Sequence, residues 1–133
     1  IWSVTSYVEL AREAEQCERA QRLRPLSKLS RPYIEQAFQD VNWPVIAVSD
    51  YQKSLAGSIS RWMPREYTVL GTDGFGVSES RPDLREHFEV SASFIVHAAL
   101  TALYRVGRID EETLQRQMAE LGVDVDKADP AAR

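Results

Sequence analysis

Two short apolar runs, Val45-Ile46-Ala47-Val48-Ser49 and Tyr67-Thr68-Val69-Leu70, decide the fold class, and the second runs straight into Gly71-Thr72-Asp73-Gly74-Phe75-Gly76. Both are continuous rather than alternating, the pattern of strands covered on two faces. Between them, residues 49–66 leave room for a helix, with Asp50 placed to cap it over Tyr51–Trp62 and Pro64 placed to end it. A helix joining two such strands implies a right-handed crossover and a parallel sheet.

Toward the N-terminus, Trp2-Ser3-Val4-Thr5 reads as a third strand, and Ser6 follows it as a helix cap. Tyr7, Leu10, Ala14 and Cys17 then recur at helical spacing, opposite Glu9, Arg12, Glu13, Gln16 and Arg19. That spacing predicts an amphipathic helix to about Leu23. Pro25 and Pro32 bracket a loop, and Tyr33 to Asp40 can form a short helix. Toward the C-terminus, Ser80-Arg81-Pro82-Asp83 reads as a capping box for a helix to Phe88. A very apolar helix is predicted over Ala92 to Val106, opened by Ser91 and closed by Gly107. Its polar residues Ser93, His97, Thr101, Arg105 and Arg108 form one narrow stripe, so the rest of its surface is expected to be buried. Asp110 caps a last helix to Leu121, leaving residues 122–133 as a tail that orders only by docking.

The expected fold class is therefore α/β, a three-layer α/β/α arrangement with a mostly parallel sheet. Three strands are few against the ~4–6 usual for a sheet. The chain also opens on Ile1-Trp2 without a starting methionine. Both features predict one domain over residues 1–133, cut from a longer chain and missing its first strand. An exposed sheet edge would favour self-association.

At 133 residues, with 44% hydrophobic and 27% charged side chains, the chain suits one folded core. A net charge of -4 gives no case for nucleic acid or an anionic membrane, and the basic run Arg19, Arg22, Arg24, Lys28, Arg31 reads as a solvated face. No apolar run approaches the ~20 residues of a membrane span. The one cysteine, Cys17, excludes an internal disulfide and suits a reducing cytoplasm; it lies on the buried stripe of its helix, as a core thiol would.

In a parallel sheet the residues just past the strand ends share one crevice. Here these are Ser6, Ser49-Asp50 and Thr72-Asp73. Gly71 to Gly76 matches neither G-x-G-x-x-G nor the P-loop, lacks the P-loop lysine, and carries an aspartate that repels phosphate. It reads instead as a tight turn with positive φ at its glycines and Phe75 tucked into the core. His87 and His97 lack the partners of a catalytic triad, and His97 is expected at a surface or subunit interface. Asp124-x-Asp126 lacks the glycine and glutamate of a calcium loop, and no G-x-S-x-G elbow is present.

Several stretches resemble one family in collinear order: Trp2 to Tyr7, Cys17-Glu18-Arg19, Asp50 to Ser54, Tyr67 to Gly76, Arg85-x-x-Phe88-Glu89-Val90, and the tail Asp124 to Pro130. The family is the C-terminal domain of the homodimeric bacterial pyruvate dehydrogenase decarboxylase component, a transketolase-like enzyme. The resemblance implies an oxidoreductase that uses thiamine diphosphate and magnesium, decarboxylates pyruvate and passes the acetyl unit to a lipoyl acyltransferase. It implies that the preceding domains of the same chain and a second subunit are partners. This last domain is expected to support dimerisation without catalytic, cofactor or metal residues. The loop Gly71, Thr72, Asp73, Gly74, Phe75, Gly76 is then structural or interfacial. Such enzymes hold magnesium through a Gly-Asp-Gly start and an asparagine roughly 25–30 residues later; here the one asparagine, Asn42, precedes Asp73-Gly74. Val77, Ala20 and Arg24 depart from the family pattern, leaving room for a paralogue acting on another 2-oxo acid such as 2-oxobutyrate. The alternative from a different class is a free-standing ligand-binding or regulatory module built on the Gly71–Gly76 loop.

Overall fold

The computed structural model describes residues 1–28, 30–63 and 66–132. The elements run α1 (Tyr7–Leu23), α2 (Tyr33–Ala37), β1 (Val45–Val48), α3 (Lys53–Gly57), a 3₁₀ turn (Ser60–Trp62), β2 (Tyr67–Leu70), α4 (Arg81–His87), α5 (Ala92–Arg105) and α6 (Glu111–Leu121). β1 and β2 pair in parallel, Val45 opposite Tyr67 and Val48 opposite Leu70. The α/β class and the parallel crossover expected from the two apolar runs are present.

Helix ends follow local chemistry. The Ser6 hydroxyl accepts from the Glu9 N–H at the start of α1, and Ser80 accepts from the Asp83 N–H at the start of α4. The Asp110 carboxylate accepts from the Thr113 N–H at 2.8 Å, and these bonds from Thr113 hold its pKa below the ordinary carboxylate value. Gly107 closes α5 at φ 70°, with its N–H on the Tyr104 carbonyl and the Arg108 N–H on Leu103.

The principal core joins Ala14 of α1, Ile34 and Phe38 at α2, and Ile59, Trp62 and Met63 around the 3₁₀ turn, with Tyr7, Val45 and Tyr67 packed against it. Trp62 is 4% exposed, and its indole Nε1 donates to Glu18 of α1 at 2.7 Å. Arg61 pairs with the same carboxylate and lies over the Trp62 ring. Burial pushes the Tyr67 phenol pKa up, with neighbouring Tyr7 adding to the shift, and its hydroxyl donates to the Ala56 carbonyl at 2.9 Å. A second group, Phe88, Val90, Phe94 and Ala102, is buried around α4 and α5, and α5 packs on both strands. Pleating turns Val45 and Val48 to opposite sides of the sheet. Val45 meets the core of α1, whereas Val48 shares a crevice with Ile95 of α5.

Several expectations are corrected. Trp2 to Thr5 is not a strand: among the described residues the sheet has two strands, and Trp2 stacks on Phe38 instead, ring centroids 5.0 Å apart. Its apolar side chains thus find helix α2 rather than a strand neighbour, and strand preference depends on such a neighbour. The single helix expected over Tyr51–Trp62 is broken after Gly57, where Ser58 turns its hydroxyl onto the Leu55 carbonyl. Pro64, expected to end it, lies outside the described residues. Asp50 does not cap α3; that position is Gln52, which makes no side-chain cap bond. α2 ends at Ala37, short of Asp40. The apolar helix α5 is less covered than its composition implies, with Val96 and Tyr104 exposed.

Candidate functional site

The strand ends open into a crevice of about 1040 Å³. Its lining includes the loop after β2 (Thr72, Gly74, Phe75, Gly76, Val77) and part of α4 (Arg81, Leu84, Arg85). Val48, Ser49 and Asp50 at the end of β1 also line it, as do Val90 and Ile95. Of the residues expected here, Ser49, Asp50 and Thr72 are brought together. Ser6 instead lines a separate groove of about 490 Å³ beside Trp2 and Phe38.

Asp73 is not among the lining residues because it is engaged elsewhere. Its carboxylate accepts the Lys53 N–H at 2.9 Å, so a residue from the loop caps α3 across the sheet. The Thr72 N–H donates to the Tyr51 carbonyl at 2.9 Å beside it. This approach requires glycine at 71, where a Cβ would lie 2.5 Å from the Tyr51 carbonyl oxygen and 3.0 Å from the Lys53 nitrogen. Replacing Asp73 with alanine should destabilise the fold by about 1–2 kcal/mol, since a part-buried N–H loses a charged acceptor. Asparagine, which keeps one oxygen, should recover most of that. Urea midpoints at unchanged slope would measure both.

Within Gly71 to Gly76, positive φ occurs at Gly74 alone, at 109°. There the chain meets its own tail: a Cβ on Gly74 would lie 2.6 Å from the Pro130 carbonyl oxygen. Phe75, expected in the core, is instead 74% exposed. The turn presents it outward because Gly71 to Asp73 are committed to α3 and Gly74 to the tail. Pro130 is buried, and Lys127 reaches the His87 carbonyl at 2.7 Å, the Glu89 carboxylate at 3.3 Å and the face of Phe94 at 5.6 Å. Glu89 itself holds a left-handed φ of 60°, unusual for a side chain with a Cβ. Residues 127–130 therefore bridge the α4–α5 corner and the glycine loop, and both segments contribute residues to the crevice lining.

The remaining candidates do not converge. Cys17 donates to Glu13 at 3.2 Å, and burial together with that carboxylate pushes the thiol pKa up, away from a nucleophilic thiolate. His87 stands edge-on to Phe88, and His97 is half-buried with its Nε2 buried and unpartnered among the described residues. Among the described residues no group of three or more His, Cys, Asp or Glu side chains is placed to hold a metal ion. No helix among them is long and apolar enough to cross a membrane. Sequence reading missed Arg81 and Arg85 on the crevice wall, although four-residue spacing on a short helix marks a shared face. It also missed Lys127, for which the sequence carries no local signal.

The transketolase-like TK C-terminal domain model matches residues 1–91. The chain is 45% identical over 131 residues to the pyruvate dehydrogenase E1 component of Escherichia coli K12, covering 98% of this chain and 14% of that protein. The E1 component of Pseudomonas aeruginosa is 44% identical, covering 98% of this chain and 15% of that protein. That of Mycolicibacterium smegmatis is 38% identical over 124 residues, 93% of this chain and 13% of the relative. The chain thus spans about a seventh of the length of these curated relatives. With a match over its first 91 residues and a parallel strand pair crossed by a helix, the chain belongs to the transketolase-like C-terminal domain family.

Proposed function

We propose that residues 1–133 form the C-terminal domain of a cytoplasmic pyruvate dehydrogenase E1 component, with residues 122–133 as its tail. The observation that carries this reading is 45% identity sustained over 98% of the chain. In the whole protein, thiamine diphosphate and magnesium supply the decarboxylating chemistry, and the acetyl unit passes to a lipoyl acyltransferase. The domain's own part is architectural: it supports the homodimer and the preceding domains, and the Gly71–Gly76 loop serves structure and interface. Its residues do not fit the cofactor. Asn42 precedes Asp73-Gly74, and among the described residues no group of three or more His, Cys, Asp or Glu side chains is gathered where it could hold a metal.

Calorimetric titration of the chain with thiamine diphosphate and magnesium should give no binding heat; tight binding would sink the architectural reading. The full-length protein should turn over pyruvate in preference to 2-oxobutyrate, and the reverse preference would replace the named substrate.

A further inference from the structure

Polar and apolar features converge on the crevice at the strand ends. Arg81 and Arg85 lie one turn apart on its α4 wall, both exposed, and neither pairs with an acidic side chain among the described residues. Phe75, 74% exposed, and Val77, 39% exposed, line the same crevice. Asp50 is the one carboxylate among the lining residues, so the two guanidiniums leave the crevice net positive. A phenyl ring held out into water beside an open apolar floor is costly, because burying such a ring is worth about 1.5–3 kcal/mol. Here the backbone fixes that outward position: Gly74 is held against Pro130, and Asp73 is held on Lys53.

We propose that this crevice seats a segment from the remainder of the same polypeptide, one that presents an acidic side chain to Arg81 and Arg85 and apolar side chains over Phe75 and Val77. The inference rests on the reading of the chain as one domain of a longer enzyme. The chain spans 14% of its relative in Escherichia coli, so most of such a protein lies outside residues 1–133. Charge sets the kind of segment. An acidic group desolvated against paired arginines gains bidentate hydrogen bonds, whereas a basic or purely apolar segment would leave both guanidiniums unpaired. A preformed crevice of this kind binds without reordering its own walls, which lowers the cost of docking.

The test uses the full-length protein with a photo-crosslinking benzoylphenylalanine at position 75 and, in a second variant, at position 77. The expected product is an intramolecular crosslink, at the mass of one chain, to an Asp- or Glu-bearing peptide outside residues 1–133. Adding R81E and R85E should lower its yield by roughly tenfold or more. Crosslinks confined to residues 1–133, a product of doubled mass, or yields indifferent to the charge reversal would each overturn the proposal. Pyruvate turnover of the same preparation separates the two readings. Turnover without the expected crosslink overturns the docking alone. The crosslink without turnover supports the docking and removes the assigned activity.

Discussion

Replacing Trp62 with alanine is expected to destabilise the fold by about 3–5 kcal/mol, the range for removing a large buried aromatic. The indole is 4% exposed and packs with Ala14, Ile34, Phe38 and Ile59, so its loss leaves a cavity bounded by two helices and the 3₁₀ turn. The Glu18 carboxylate would lose the Nε1–H donor at 2.7 Å, and Arg61 the ring beneath it at 4.5 Å. Against a typical total stability of about 5–15 kcal/mol, such a loss removes much of the folded population. Trp62→Phe separates the causes: it keeps most of the packing and deletes the hydrogen bond, and should cost about 1–2 kcal/mol. Urea unfolding followed by circular dichroism would measure both. Equal losses for the two variants would show that the bond to Glu18, not packing, dominates.

Gly71→Ala is expected to cost about 3 kcal/mol, although it adds one methyl group to a loop. Both atoms it would strike, the Tyr51 carbonyl oxygen at 2.5 Å and the Lys53 nitrogen at 3.0 Å, are backbone and cannot rotate away. Relief requires the strand end and α3 to separate. That stretches the Thr72–Tyr51 and Asp73–Lys53 hydrogen bonds, each 2.9 Å, which add their own share of the loss. Gly57→Ala is the matched control. Nothing lies within 4 Å of its Cβ, so the change should be neutral or stabilising by up to about 1 kcal/mol. Hydrogen exchange at the Lys53 and Thr72 amides should accelerate in the Gly71 variant and stay unchanged in the Gly57 variant.

The two strands, α1, α4, α5 and α6 were legible because each carries a local signal: an apolar run, a helical stripe, a capping serine or aspartate, or a closing glycine. Errors fell where a residue's partner is distant in sequence. Asp50 looked like the cap of α3 because it sits beside the helix, yet Asp73 supplies the acceptor from twenty residues away. Trp2 looked like part of a strand because its neighbours are β-branched, yet it stacks on Phe38. Phe75 was expected inside because it is aromatic. Only the competing commitments of Gly71, Asp73 and Gly74 turn it out, and none of these is visible without the fold. His97, expected at a surface or subunit interface, is half-buried with its Nε2 buried. At the site, the crevice floor followed from topology, but its basic wall did not.

The bridge made by Lys127 and Pro130 has a consequence in time. These residues leave the ribosome after both parts they join, so the glycine loop and the α4–α5 corner emerge before anything can fasten them. The positive φ of Gly74 and the left-handed Glu89 are stabilised by contacts that do not yet exist at that stage. The bridge can therefore form only after residues 127–130 have been added, when the segments it joins have already been made.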